Sequence, residues 1–334
     1  MTRNLNEFVN LKPIMALKPG ALVGTEPADH VTILLGSYNG AAFLPEQLAS
    51  LAHQSHRAWS LIASDDGSTD TSIGIVLDFG EQIGAERLTL QAGPQLGFAQ
   101  NFLSLIRAAG PTTPYAAFCD QDDIWLPSKL ERALSRLREI SNATPAVYLG
   151  RTTIRDRNLK PLSLSPLFER PPSFENALVQ SIAGGNTMVV NRAALDILQE
   201  SSAKTGWIIS HDWWIYQMIA GAGGKIIYDP EPMVHYRQHG ANQVGANDGR
   251  RAQLRRLVQL LAGRFRRWND ANLGALQEAR HWLSPKARET LSLVTAARRS
   301  CLLNRISLLK KAGIYRQTKG GNIALWLAAI TRRL

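Results

Sequence analysis

The sequence predicts an α/β fold: a mixed, mainly parallel sheet flanked by helices, followed by a helical C-terminal extension. Alternation is the first reason. Short apolar runs at Val31 to Gly36, Trp59 to Ser64, Arg87 to Gln91 and Tyr115 to Cys119 read as buried strands, and helical patterns separate them. Punctuation is the second. Three of the runs end in turn residues: Ser37-Tyr38-Asn39-Gly40, Asp65-Asp66-Gly67-Ser68-Thr69-Asp70 and Asp120-Gln121-Asp122-Asp123. The third is charge. Residues 250–334 hold 19 Lys or Arg against 3 Asp or Glu, a balance of +16, while residues 1–249 balance at −5. The shift divides the chain into a proline-bearing leader (1–29), an α/β domain (30–249) and a basic helical region (250–334).

Each element has a local cause. The first helix runs from Ala42 to His53. Asp70, behind Ser68 and Thr69, offers N-cap chemistry to a helix ending near Phe79. Gly97 opens a helix to Ala108 with Phe98, Phe102, Leu105 and Ile106 on one face. Pro127 opens another, to Ile140. Further on, Ala146 to Gly150 and Asn186 to Val190 read as strands, and the proline-rich stretch 158–174 between them as a loop. Helices are expected over Arg192 to Gln199 and His211 to Ala220. Two short strands, Lys225 to Tyr228 and Met233 to Arg237, surround a Pro-Glu-Pro turn.

Composition excludes several classes. A hydrophobic content of 45% is that of a globular protein. The two cysteines, Cys119 and Cys301, lie far apart, and Cys119 falls in a core strand; a disulfide framework is not expected and a reducing compartment is favoured. No basic start precedes an apolar run, so no signal peptide is expected, and no stretch reaches the roughly 18 apolar residues of a membrane span. The basic end of the chain calls for an anionic partner, membrane lipid or nucleic acid.

Strands that each lead into a helix are usually parallel, so both acidic clusters belong at one carboxyl-end edge, where open α/β sheets bind ligands. Carboxylates crowded there repel one another unless a cation joins them. Mg²⁺, held by one or two carboxylates plus substrate phosphates, meets that need. A carboxylate at a strand end can accept the imide N–H of uracil or thymine, and Asp66 is the choice for that, with Asp65 beside it. Asp212, in His211-Asp212-Trp213-Trp214, reads as a carboxylate base with Trp213 and Trp214 as aromatic platforms for a sugar. His235 and His239 stand four apart, but Pro230, Pro232 and Gly240 argue for strand and turn, and no third ligand has zinc spacing. His239 is left as an accessory metal ligand, with Arg237 near the phosphates.

Taken in order, VTILLGSYNGAAFLPEQLASLAHQS, WSLIASDDGSTD, GFAQNFLSL, FCDQDDIWLPSKLE, HDWW and YRQHGANQVG resemble family 2 glycosyltransferases of the GT-A fold, from Val31 to Gly245. The forms CDQDDIW, HDWW and YRQHG are most similar to the bacterial rhamnosyltransferase-like branch that builds cell-surface polysaccharides. The resemblance implies a dTDP- or UDP-sugar donor, Mg²⁺ or Mn²⁺, transfer with inversion, and a glycan or lipid-linked glycan acceptor. It implies nucleotide contacts from Ser37, Tyr38, Asn39, Asp65, Asp66 and Asp120, metal ligation by Asp122, and Asp212 as catalytic base. The Gln-x-x-Arg-Trp element of processive relatives is absent after Asp212, which argues for single-sugar transfer. With the basic tail, the expected location is cytoplasmic, peripheral on the inner face of the plasma membrane.

Two other readings compete. A sugar-phosphate nucleotidyltransferase would carry a basic, glycine-rich phosphate loop after the first strand, and Gly36-Ser37-Tyr38-Asn39-Gly40 has no basic residue. A nucleic-acid-binding protein would explain the tail but not the acidic site, and no nucleic-acid module is visible. No nucleic-acid partner is expected.

Overall fold

The computed structural model describes residues 28–239 and 264–334. Almost all of the leader, and the boundary at 249/250, lie outside the described residues. In chain order the elements are β1 (Val31–Ser37), α1 (Leu44–Ala52), β2 (Trp59–Asp65), α2 (Ser72–Ile83), β3 (Leu88–Ala92), α3 (Phe98–Ala108), β4 (Tyr115–Asp120), β5 (Ile124–Trp125) and α4 (Lys129–Leu137). There follow β6 (Ala146–Arg155), β7 (Pro161–Leu164), α5 (Phe174–Ala177), β8 (Val189–Asn191), α6 (Arg192–Ser202), α7 (His211–Gly221) and β9 (Lys225–Arg237). Four helices close the chain: α8 (Arg264–Glu278), α9 (Pro285–Arg299), α10 (Leu302–Ala312) and α11 (Lys319–Ile330).

The nine strands run β3-β2-β1-β4-β8-β6-β9-β5, with β7 on the side of β6. β1 pairs in parallel with β2 and β4, and β6 with β9; β8 is antiparallel to both its neighbours. β1 is buried along nearly its whole length because both its faces are covered. Ile33 and Leu35 face a core shared with Leu44, Leu48 and Leu51 of α1 and Leu130 of α4. Leu34 faces the other core, with Phe102 and Ile106 of α3, Leu195 of α6 and Trp214 of α7. Full burial of each such Leu or Ile contributes roughly 1.5–3 kcal/mol.

The C-terminal helices belong to that second core. Leu273 and Leu276 of α8, Leu291 and Val294 of α9, Leu309 of α10 and Leu325 of α11 are buried in the cluster that contains Phe118 and Trp214. The described part of the basic region, residues 264–334, is packed against the sheet domain. No helix among the described residues is long and apolar enough to cross a membrane. Both cysteines are free, Cys119 buried and Cys301 exposed.

Three local expectations are corrected. The two strands around Pro-Glu-Pro form one strand, β9, but its ladder breaks where expected: Gly150 pairs with Asp229 and Thr152 with Val234, so residues 230–233 bulge out. Prolines 230 and 232 fall in that bulge because neither can donate to a ladder. The strand expected over Asn186 to Val190 begins later, because Gly185–Thr187 forms a 3-10 turn. The loop expected over 158–174 contains β7, an exposed edge strand.

Candidate active site

Parallel pairing sets the site. Ser37 stands beside Asp65, and Gly36 beside Asp120, so the ends of β1, β2 and β4 bring both acidic clusters to one edge, as expected. The β1–α1 loop is stitched to the turn after β2. Asn39 takes φ 47°, a left-handed conformation that asparagine tolerates. Its Oδ1 accepts from the Thr69 backbone N–H at 2.8 Å, and its own N–H donates to Ser68 Oγ at 2.8 Å. The Gly40 and Ala41 N–H groups donate to Ser72 Oγ and Asp70 Oδ2. Asp70 thus holds the loop and the first residue of α2, and makes no N-cap bond of the expected kind.

Gln121 completes the clamp from the other side. Its Oε1 accepts from Tyr38 N–H at 2.8 Å and its Nε2 donates to Tyr38 O at 3.0 Å. Gly40 is required beneath it, because a Cβ there would stand 2.2 Å from Gln121 Oε1. Tyr38 is left with its ring 57% exposed over the edge. Ser37 is buried and its hydroxyl makes no hydrogen bond.

The two aspartates after β2 differ. Asp65 is folded into its own turn, accepting from Gly67 N–H, Ser68 N–H and Ser68 Oγ. Three donors leave it one lone-pair position. Asp66 accepts from Gln95 N–H at 2.6 Å and Gly97 N–H at 3.0 Å, which draws the β3–α3 loop to the edge. Two of its lone-pair positions remain for a ligand.

The cluster after β4 is pinned from β9. Arg237 donates through its backbone N–H to Asp123 Oδ1 and through Nε to the Asp122 carbonyl, each at 3.1 Å, and forms an ion pair with Glu46. It is 4% exposed. Arg237 was expected near the phosphates; here its donors serve the acidic loop, Glu46 and the Arg157 carbonyl. Asp123 is enclosed and also accepts from Asn186 Nδ2. Asp122 Oδ2 lies 2.8 Å from His239 Nε2, and the His239 ring stacks on Phe43 at 4.4 Å.

Asp212 sits half-buried in the first turn of α7, where the helix dipole favours a carboxylate. Its Oδ1 accepts from Trp213 N–H at 2.7 Å. Burial raises its pKa. Burial, then the charges of Asp123, Asp122 and Asp212, pushes Asp120 well above the ordinary carboxylate range, which brings Asp212 within electrostatic reach of the edge. Burial and the charge of Asp122 push Asp123 up to about 8, against the Asn186 hydrogen bond and Arg237. His211 is buried and stacked on Phe102 at 3.7 Å, with neither ring nitrogen hydrogen-bonded. Burial lowers it to about 3, so the ring is neutral. A Cβ on Gly185 would stand 2.0 Å from its Nε2, which makes that glycine the floor beneath the His-Asp pair.

Trp213 and Trp214 are corrected outright. Both are buried; Trp213 Nε1 donates to the Ala177 carbonyl at 2.6 Å and its ring meets Trp268 edge-on. Neither offers a face to a sugar. Among the described residues no three His, Cys, Asp or Glu groups converge at metal-binding spacing. An Mg²⁺ or Mn²⁺ that also takes diphosphate oxygens and water needs only one or two protein ligands. The converging oxygen of Asp122 and nitrogen of His239 fit such a partial shell.

Residues 32–197 match the family described as Glycosyl transferase family 2. The dTDP-rhamnosyl transferase RfbG of Shigella flexneri is 29% identical over 236 residues, 67% of this chain and 78% of its own. The domain within residues 32–197 belongs to glycosyltransferase family 2. Within the family it is rhamnosyltransferase-like. The putative teichuronic acid biosynthesis glycosyltransferase TuaG of Bacillus subtilis is 29% identical over 180 residues, 52% of this chain and 67% of its own. S. aureus TarS 1–349, solved in complex with UDP-GlcNAc, superposes with a TM-score of 0.50 at 15% identity, over 86% of this chain and 93% of that one. The fold of this glycosyltransferase is therefore GT-A, a fold whose enzymes commonly use a divalent metal. The nucleotidyltransferase and nucleic-acid readings fall with this assignment.

Proposed function

We propose that this glycosyltransferase moves one sugar, with inversion, from a dTDP- or UDP-sugar to a hydroxyl of a glycan or lipid-linked glycan in polysaccharide biosynthesis. Rhamnose is the sugar favoured by the similarity to RfbG. One observation carries the reading: Asp212 stands in the first turn of α7, near enough to the nucleotide edge for its charge to help raise Asp120. In this reading Asp212 takes the proton of the acceptor hydroxyl as the glycosidic bond forms, and its raised pKa suits it to hold that proton. Asp66 accepts the pyrimidine imide, Asp120 the ribose, and Ser37, Tyr38 and Asn39 line the nucleotide. A divalent cation, when bound at Asp122 and His239, stabilises the leaving diphosphate. Inversion needs one base and no covalent intermediate, so positioning of both substrates supplies much of the rest.

The test is a thermal-shift screen of sugar nucleotides with Mn²⁺. At about a hundred times Kd a donor adds roughly 2.7 kcal/mol of stability, a clear rise in Tm. dTDP- and UDP-sugars should give it, while ADP-sugars and oligonucleotides should not. No response to any pyrimidine sugar nucleotide would overturn the reading.

The reading extends to an anionic membrane surface, at the cytoplasmic face, as the place of work. α11 buries Leu325, Ala328 and Ala329 but leaves Ile323, Leu327 and Ile330 exposed at 64, 46 and 49%, one apolar stripe at i, i+4, i+7. Exposed Lys319 and Arg332 flank it, in a region with a balance of +16. An apolar stripe with cations at its ends suits an interface with anionic lipid, each cation near the surface contributing about 1 kcal/mol. Changing Ile323, Leu327 and Ile330 to serine spares the buried face. The triple variant should lose most of its sedimentation with phosphatidylglycerol liposomes, and equal pelleting of variant and parent would remove α11 as the contact.

A further inference from the structure

We propose that Trp207 is the sugar-stacking platform of an acceptor subsite, occupied by a pyranose unit of the acceptor glycan. The inference deepens the transfer reading above and rests on it. Trp207 is 63% exposed, an unusual state for the largest apolar side chain. Its position is built. The preceding residue is held on both sides: Gly206 N–H donates to Glu278 Oε2 of α8 at 3.0 Å, and the Gly206 carbonyl accepts from Gln100 Nε2 of α3 at 3.2 Å. The following residue, Ile208, is completely buried. A backbone fixed at 206 and 208 presents the indole between them outward.

The place matters as much as the exposure. Trp207 precedes Asp212 by five residues, a reach of at most about 18 Å along extended chain, or a few sugar rings. Gln100, which holds Gly206, lies one turn beyond the β3–α3 loop that Asp66 draws to the nucleotide edge. Leu96 on that loop is 60% exposed, so a second apolar side chain stands out on the segment Gln100 links to Trp207. Phe98 and Phe102, on the same helix as Gln100, pack on His211, the neighbour of Asp212, so the segment that carries the indole joins the helix beside the base. A pyranose presents an apolar face of C–H groups, and a rigid aromatic ring stacks on it at low entropy cost. The sequence offered Trp213 and Trp214 for this task; their burial leaves Trp207 to perform it.

The experiment uses the full chain with indole ¹⁵N-labelled tryptophan, saturated with dTDP or UDP and Mn²⁺. The Trp207 indole signal is identified by its loss in Trp207→Phe. Three probes are titrated: methyl α-L-rhamnopyranoside, methyl β-D-glucopyranoside and methyl N-acetyl-α-D-glucosaminide. At least one should shift the Trp207 signal saturably. Trp207→Ala should weaken that probe by about tenfold, with nucleotide affinity unchanged and Trp207→Phe retaining part of the binding. If nucleotide binds and none of the three probes moves the Trp207 signal, or if Trp207→Ala binds the glycoside as the parent does, the proposal is overturned. Failure of nucleotide itself to bind would instead strike the transfer reading.

Discussion

Asp212→Asn should leave donor binding nearly intact and cut turnover by at least about a hundredfold, the low end of general-base effects. The amide is almost isosteric with the carboxylate. It can still accept the Trp213 N–H that Asp212 Oδ1 now receives, so the first turn of α7 stays formed. It cannot take a proton. His211 is no substitute, because it is sealed against Phe102 and neutral, its pKa lowered to about 3 by burial. The substitution also removes a negative charge that raises Asp120, so donor affinity should be held or slightly improved. Turnover and donor Kd measured on the same preparation separate the two effects. Near-normal turnover would move the base elsewhere.

Three of the first four strands were legible because each is a short apolar run closed by a turn, and parallel pairing then carries both acidic clusters to one edge without further information. The roles inside that edge were less legible. Gln121 meets Tyr38 across 83 residues, Asn186 meets Asp123 across 63, and Glu46 meets Arg237 across 191. Each pair joins segments far apart in the sequence, and no local periodicity encodes it. Asn186 gave a partial signal, a polar residue opening an apolar run. Arg237 was placed beside the right loop, but sequence shows its charge and not the Glu46 carboxylate opposite. The tryptophans failed for another reason. α7 is buried on nearly all sides, so its pattern has no polar face to say which aromatics point inward. The docking of the basic tail was hard to read for a related reason: its charge is plain in composition, while the apolar positions Leu273, Leu291 and Leu325 that enter the second core are spread over separate helices.

Asp122→Ala should abolish the metal-dependent part of donor binding and reduce transfer on the order of a thousandfold, the several kcal/mol of leaving-group stabilisation that a cation supplies. The fold should survive. Arg237 holds this loop through the Asp122 carbonyl and through Asp123, and neither contact involves the Asp122 side chain. His239 loses its carboxylate partner but keeps its stack on Phe43. What changes is the donor set. One imidazole nitrogen is a weak anchor for an oxygen-seeking cation, and without the cation the diphosphate loses the positive partner that neutralises it at this edge. Asp122→Asn makes the sharper control: the amide keeps an oxygen beside His239 but not the charge, and should fall close to the alanine variant. Calorimetric titration of UDP or dTDP with and without Mn²⁺ reads the effect directly. The parent should show a large metal-dependent gain and both variants almost none, and an unchanged gain in Asp122→Ala would remove Asp122 from the metal shell.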